Sequence, residues 1–129
     1  MQTILLIKNS SDILSNMTGF LEMEGYKILT ANSAKKGIEY AKEYMPDLII
    51  CDVSIPELGG YGVLNALKES SMASIIPFVL TASASEKMDI MEAYKLGVDD
   101  YLLKPFSTDA LLKMVRTQIR RARNLTLHI

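Results

Sequence analysis

Asp52 ends an apolar run, Leu48-Ile49-Ile50-Cys51, and is followed by a turn carrying Pro56, Gly59 and Gly60. A carboxylate can act as a nucleophile toward phosphorus and form an acyl phosphate. That chemistry needs a hydrogen-bond donor for the phosphoryl oxygens and a cation to offset their charge. Residues of both types stand at comparable places: Thr81 ends the run Pro77–Thr81, and Lys104 follows the short run Tyr101–Leu103. Lys8 and Asn9 come just after Thr3–Ile7. Each residue also has a plainer reading. Asp52 alone could cap a turn, Thr81 could be a strand-end hydroxyl, Lys104 a cation at a buried end, and Tyr101 ordinary packing. The fold must decide whether they meet.

Short apolar runs bounded by turn residues suit strands buried on both faces, as in a parallel sheet. Between the runs lie helical patterns. Ser10 or Ser11 can cap a first helix with Ile13, Leu14, Met17 and Leu21 on one face, Phe20 beside them, and Gly25 at its end. Tyr26–Thr30 is a more polar strand, suited to a sheet edge. Asn32 or Ser33 opens a second helix that turns Ala34, Ile38, Ala41 and Met45 inward and stops at Pro46. The third spans Tyr61 to Glu69 with Val63, Leu64 and Leu67 inward. The fourth starts at Ser83 or Ser85, carries Met88, Met91 and Leu96, and closes at Gly97. The last runs from Ser107 or Thr108 to about Arg123 and buries Leu111, Leu112, Val115 and Ile119.

Strands separated by helices imply right-handed crossovers and a parallel sheet covered on both faces. The expected fold is therefore α/β, a three-layer doubly wound sheet of five strands. In such sheets ligands and chemistry gather at the carboxyl edge. Lys8, Asn9, Asp52, Thr81 and Lys104 all fall there, so the geometry can hold a phosphoryl group on Asp52.

Composition narrows the function classes. A chain of 129 residues suits one domain, and a net charge of −1 gives no basic field for nucleic acid or an anionic membrane. No apolar run approaches the ~20 residues needed to span a bilayer, and the amino terminus lacks the basic head of a signal peptide. Cys51 lies inside an apolar run and reads as a small core residue in a reducing compartment, so the cytoplasm is the expected location. The eight methionines read as core filler, and Arg116, Arg120, Arg121 and Arg123 as a solvated helix face. His128 falls in a terminal tail, out of the context of a phosphodonor.

Four stretches, ILLIKNSSDIL, PDLIICDVSIPELGGYGVL, IPFVLTASA and LGVDDYLLKPF, resemble the receiver domain of two-component response regulators over nearly the whole chain. The resemblance implies a flavodoxin-like sheet of order 2-1-3-4-5. It places the receiver domain at residues 1–123, with 124–129 a tail or the start of a linker. By position Asp52 matches the phosphoacceptor, Thr81 the switch hydroxyl, Tyr101 the switch aromatic and Lys104 the conserved-type lysine. Lys104 precedes Pro105 as in the family, where that bond is usually cis. The implied partners are a histidine kinase or phosphotransfer protein, and an output partner or effector domain. The output side would meet the face of the fourth helix, fifth strand and last helix, where Met88, Met91 and Tyr94 fall. No direct contact with nucleic acid or membrane is implied.

One departure stands out. Members of this family carry two adjacent acids after the first strand that hold Mg²⁺ together with the phosphoacceptor; here those positions are Lys8 and Asn9. Mg²⁺ requires hard anionic oxygens, so no tightly bound cofactor is expected. Any residual metal site would fall to Asp52, Asn9 and the Ser54 backbone. Lys8 could instead form an ion pair with Asp52, or point to solvent and leave a slow acceptor that needs little metal. Two functions follow: a receiver that accepts phosphate on Asp52 with impaired Mg²⁺ binding, or a phosphorylation-independent pseudo-receiver that works as an interaction module. An enzyme on the same fold fits less well. A haloacid-dehalogenase-type phosphatase needs its nucleophile after the first strand, where Lys8-Asn9 stands, and a second acid two residues on; a flavin carrier needs a glycine in KNSSD. Catalysis beyond the domain's own phosphoryl transfer and dephosphorylation is not expected.

Overall fold

Ile4–Ile7, Leu48–Cys51 and Val79–Leu80 are wholly buried, as strands between two helical layers must be. The computed structural model describes residues 1–9, 16–83, 86 and 90–127. In chain order the elements are β1 (Thr3–Ile7), α1 (Thr18–Met23), β2 (Lys27–Ala31), α2 (Ala34–Tyr44), β3 (Leu48–Asp52), α3 (Gly59–Lys68), β4 (Phe78–Ser83), α4 (Ile90–Lys95), β5 (Asp100–Lys104) and α5 (Thr108–Leu127). The strands form one parallel sheet in the order β2-β1-β3-β4-β5. This is the expected doubly wound α/β fold, with the more polar β2 at an edge.

Side chains alternate across each strand, and the core divides accordingly. Leu5, Ile7, Ile49, Cys51, Phe78 and Leu80 pack with residues of α2, α3 and α4. Ile4, Leu6, Leu48, Ile50 and Val79 pack with Leu21 of α1 and with Leu111, Met114, Val115 and Ile119 of α5. Ser33 caps α2, its hydroxyl accepting from the Lys36 N–H at 3.2 Å. Gly25 adopts φ +97° just after α1, in the left-handed region that glycine tolerates.

Several element ends differ from the expectation. β4 continues through Ser83, because Ala82 and Ser83 pair with Leu103 and Lys104 of β5; the ladder outlasts the apolar run. Ser83 thus closes a strand rather than opening a helix, and its N–H and hydroxyl both donate to Glu86 Oε1 at 2.8 and 3.0 Å. α3 begins two residues earlier than expected, at Gly59. α5 continues to Leu127, past the expected end at Arg123. Arg120, Arg121, Ala122 and Arg123 are good helix formers, and the helix they carry continues through residues 124–127. On α5 it is Met114 that is fully buried, with Leu112 half-buried. Met1, Met23, Met72 and Met91 are exposed, so methionine is not uniformly core filler. The expectations at Ser10, Ser11, Ile13, Leu14, Ser85, Met88 and His128 lie outside the described residues. Among the described residues no helix is long and apolar enough to cross a membrane.

Candidate functional site

Asp52 closes β3, Thr81 is its register partner on β4, and Lys104 closes β5. The carboxyl edge of the sheet therefore brings three of the expected residues together. Asp52 is 1% exposed, yet its carboxylate is well supplied with donors. Lys104 Nζ lies 2.7 Å from Oδ1, and the Thr81 hydroxyl donates to the same oxygen at 3.2 Å. A buried charge requires such partners. The Ser54 hydroxyl donates to the other oxygen, Oδ2, at 2.5 Å.

The loop after β3 holds this arrangement in place. Val53 N–H donates to Thr81 O at 2.9 Å, and Gly60 N–H to Val53 O at 3.0 Å. A side chain at Gly60 would meet Asp52 O at 2.9 Å and Leu80 Cδ2 at 2.7 Å, so only glycine lets α3 start against the end of β3. Glu57 takes φ +81°, and its Oε1 accepts from the Lys35 N–H at 2.9 Å, fastening the loop to the start of α2. The Lys104-Pro105 bond is cis.

Lys8 and Asn9 follow β1 at the same edge and are half-buried. The Lys8 N–H donates to Ala31 O at 2.9 Å. Lys8 lines a cleft of about 390 Å³ with Thr30, Ala31, Asn32, Lys36 and Tyr40. Among the described residues no group of three His, Cys, Asp or Glu could hold a metal ion. Tyr101 packs edge-on against Tyr94 of α4, ring centroids 6.1 Å apart. Its N–H donates to Asp100 Oδ1 at 2.8 Å. Burial pushes the Cys51 thiol well above its usual range, and the neighbouring Asp52 charge adds to the effect.

The bond from the Ser54 side chain is not among the sequence expectations, which give Ser54 through its backbone as a metal ligand and, two residues after Asp52, as a hydroxyl where a phosphatase would need a second acid. A hydroxyl two residues beyond an acid, in a turn, was the available signal. Arg116 also differs from a purely solvated residue, since its Nη2 lies 3.6 Å from Glu24 Oε2.

Residues 4–116 match the family model of the response regulator receiver domain. The chain belongs to that family. Among curated relatives, this receiver domain is 37% identical to the transcriptional regulatory protein PcoR of Escherichia coli, over 96% of this chain and 54% of that protein. It is 31% identical to the transcriptional regulatory protein KdpE of Mycobacterium tuberculosis, over 94% of this chain and 52% of that protein. The receiver domain thus spans about half the length of the curated relatives it matches. Among solved structures it resembles a response regulator receiver domain protein from Clostridium thermocellum, with a TM-score of 0.87 and 28% identity over 97% of this chain and 99% of that one. The sheet order and helical layers read above are those of this family.

Proposed function

We propose that this receiver domain accepts a phosphoryl group on Asp52 from a phosphohistidine of a histidine kinase or phosphotransfer protein, and signals the change through its surface. The observation that carries the reading is the convergence of Lys104 and Thr81 on Asp52 Oδ1, at 2.7 and 3.2 Å. In the reaction a carboxylate oxygen attacks phosphorus, the P–N bond of the donor breaks, and an acyl phosphate forms. The product carries about two negative charges. Lys104 offsets them, and Thr81 can turn its hydroxyl from the carboxylate to a phosphoryl oxygen.

The donor set fits Mg²⁺ poorly. Asp52 is the sole carboxylate among the proposed ligands, and its oxygens already carry Lys104, Thr81 and Ser54. Asn9 offers a neutral carbonyl, and Lys8 adds a positive charge where the family places an acid. Metal binding is accordingly weak, and transfer depends on Lys104 and Thr81 more than on an ion.

The output face is that of α4, β5 and α5. Met91, Tyr94 and Leu103 are exposed there, and Tyr101 sits beside Tyr94. An effector domain or a separate output partner would meet this face, with residues 1–123 as the signalling unit. A second reading, a pseudo-receiver that works without phosphate, is favoured by Lys8 and by the fully engaged Asp52 carboxylate.

Incubation with acetyl phosphate followed by peptide mapping tests the proposal. A hydroxylamine-labile phosphoryl group on the Asp52 peptide, missing in Asp52→Asn, is expected. A wild-type chain that stays unlabelled would leave the pseudo-receiver.

A further inference from the structure

We infer that the Ser54 hydroxyl is a brake on Asp52, holding the carboxylate oxygen that must attack phosphorus until this hydrogen bond opens. The inference rests on the reading of Asp52 as phosphoacceptor.

Its basis is how the donors divide between the two oxygens. Oδ1 carries both Lys104, at 2.7 Å, and Thr81, at 3.2 Å. Lys104 must stay close to offset the phosphoryl charge, so Oδ1 is the less available oxygen. Oδ2 accepts from the Ser54 hydroxyl, and a hydrogen bond to a carboxylate is stronger than one between neutral groups. A lone pair engaged in such a bond is a poorer nucleophile, and attack through Oδ2 requires its release.

The placement of Ser54 suits a gate. Asp52 is 1% exposed, whereas Ser54 is exposed. The hydroxyl therefore lies between the carboxylate and the solvent from which a donor arrives, and it can turn to water once its bond to Oδ2 opens. Its backbone cannot drift away. Val53 on one side is bonded to Thr81 O at 2.9 Å, and Ile55 on the other is 3% exposed with its N–H on Asp52 O at 3.4 Å. The fold thus delivers the hydroxyl to Oδ2.

Ser54 is not placed to take the phosphoryl group itself. In-line displacement sets the attacking and leaving oxygens on opposite sides of phosphorus. Two oxygens 2.5 Å apart are too close for that. Ser54 is a positioning residue, acting through Asp52.

The test compares the rate of adduct formation with acetyl phosphate in wild type, Ser54→Ala and Ser54→Thr, across donor concentrations. Ser54→Ala should raise the maximal rate about tenfold, the scale of one hydrogen bond to a charged group, with half-saturation by donor unchanged. Ser54→Thr keeps a hydroxyl and should stay within about twofold of wild type on the same reasoning. Ser54→Ala reacting at the wild-type rate or more slowly overturns the brake while leaving Asp52 as acceptor. A hydroxylamine-resistant phosphoryl group on Ser54 overturns it too, by making Ser54 an acceptor. No adduct in any of the three chains removes the acceptor reading, and the brake with it.

Discussion

Lys104 Nζ reaches Asp52 Oδ1 at 2.7 Å from the far side of β4, since the register partner of Lys104 is Ser83 and that of Asp52 is Thr81. The pair is unequal in burial, 15% exposed for Lys104 and 1% for Asp52. That inequality predicts an unequal response to mutation. Lys104→Met strands a buried carboxylate and should lower stability by about 3 kcal/mol. Asp52→Asn leaves a lysine able to reach water and should cost less than about 1 kcal/mol. Urea unfolding of the two variants measures both, and equal losses would contradict the geometry.

Cys51 supplies a pH signature. Its thiol is pushed up by burial first and by Asp52 second, so the folded state holds a proton that the unfolded state releases above about pH 8.5. Fewer protons on the unfolded chain mean that stability falls as pH rises, by up to about 1.4 kcal/mol per unit. The contribution is intact below the unfolded thiol's pKa. Cys51→Ala should flatten the decline between pH 9 and 10 relative to wild type, as read by urea midpoints. Identical slopes would show that Cys51 ionises in the folded chain.

Glu57 combines a strained backbone with a useful side chain. Its φ is +81°, and its carboxylate accepts from the Lys35 N–H at 2.9 Å. Glu57→Ala loses the acceptor and keeps the strain, whereas Glu57→Gly loses the acceptor but relieves the strain. The glycine variant should be more stable than the alanine variant by about 1 kcal/mol. An alanine variant at least as stable as the glycine one would mean that the left-handed turn is not under strain.

Much of this was legible in the chain itself, for physical reasons. Runs such as Leu48–Cys51 are apolar on both faces because both faces are covered, and their ends locate the carboxyl edge. Asp52, Thr81 and Lys104 could be placed together on that ground alone. The Ser54 hydroxyl could not, because its bond to Oδ2 depends on the path of a loop that Val53 and Ile55 hold from either side. The ladder through Ser83 was hidden because apolar runs report burial, while pairing continues wherever backbone faces backbone. The last turn of α5, through residues 124–127, was hidden because Asn124 and Thr126 are weak helix formers and nothing there marks a helix end. Exposed Met23 and Met91 show the same limit, since methionine marks a flexible apolar side chain and not its surroundings.

In the proposed reaction Asp52 takes a phosphoryl group, and Lys104 and Thr81 supply what the missing acidic pair would otherwise draw from a metal. Intact mass after incubation with acetyl phosphate, with Mg²⁺ and with a chelator in its place, tests it most directly. A single phosphoryl adduct is expected in both samples, absent from Asp52→Ala, with rates that differ little between them. An adduct that forms only with Mg²⁺ would show that Asn9 suffices for the metal and that Lys104 and Thr81 do not replace it.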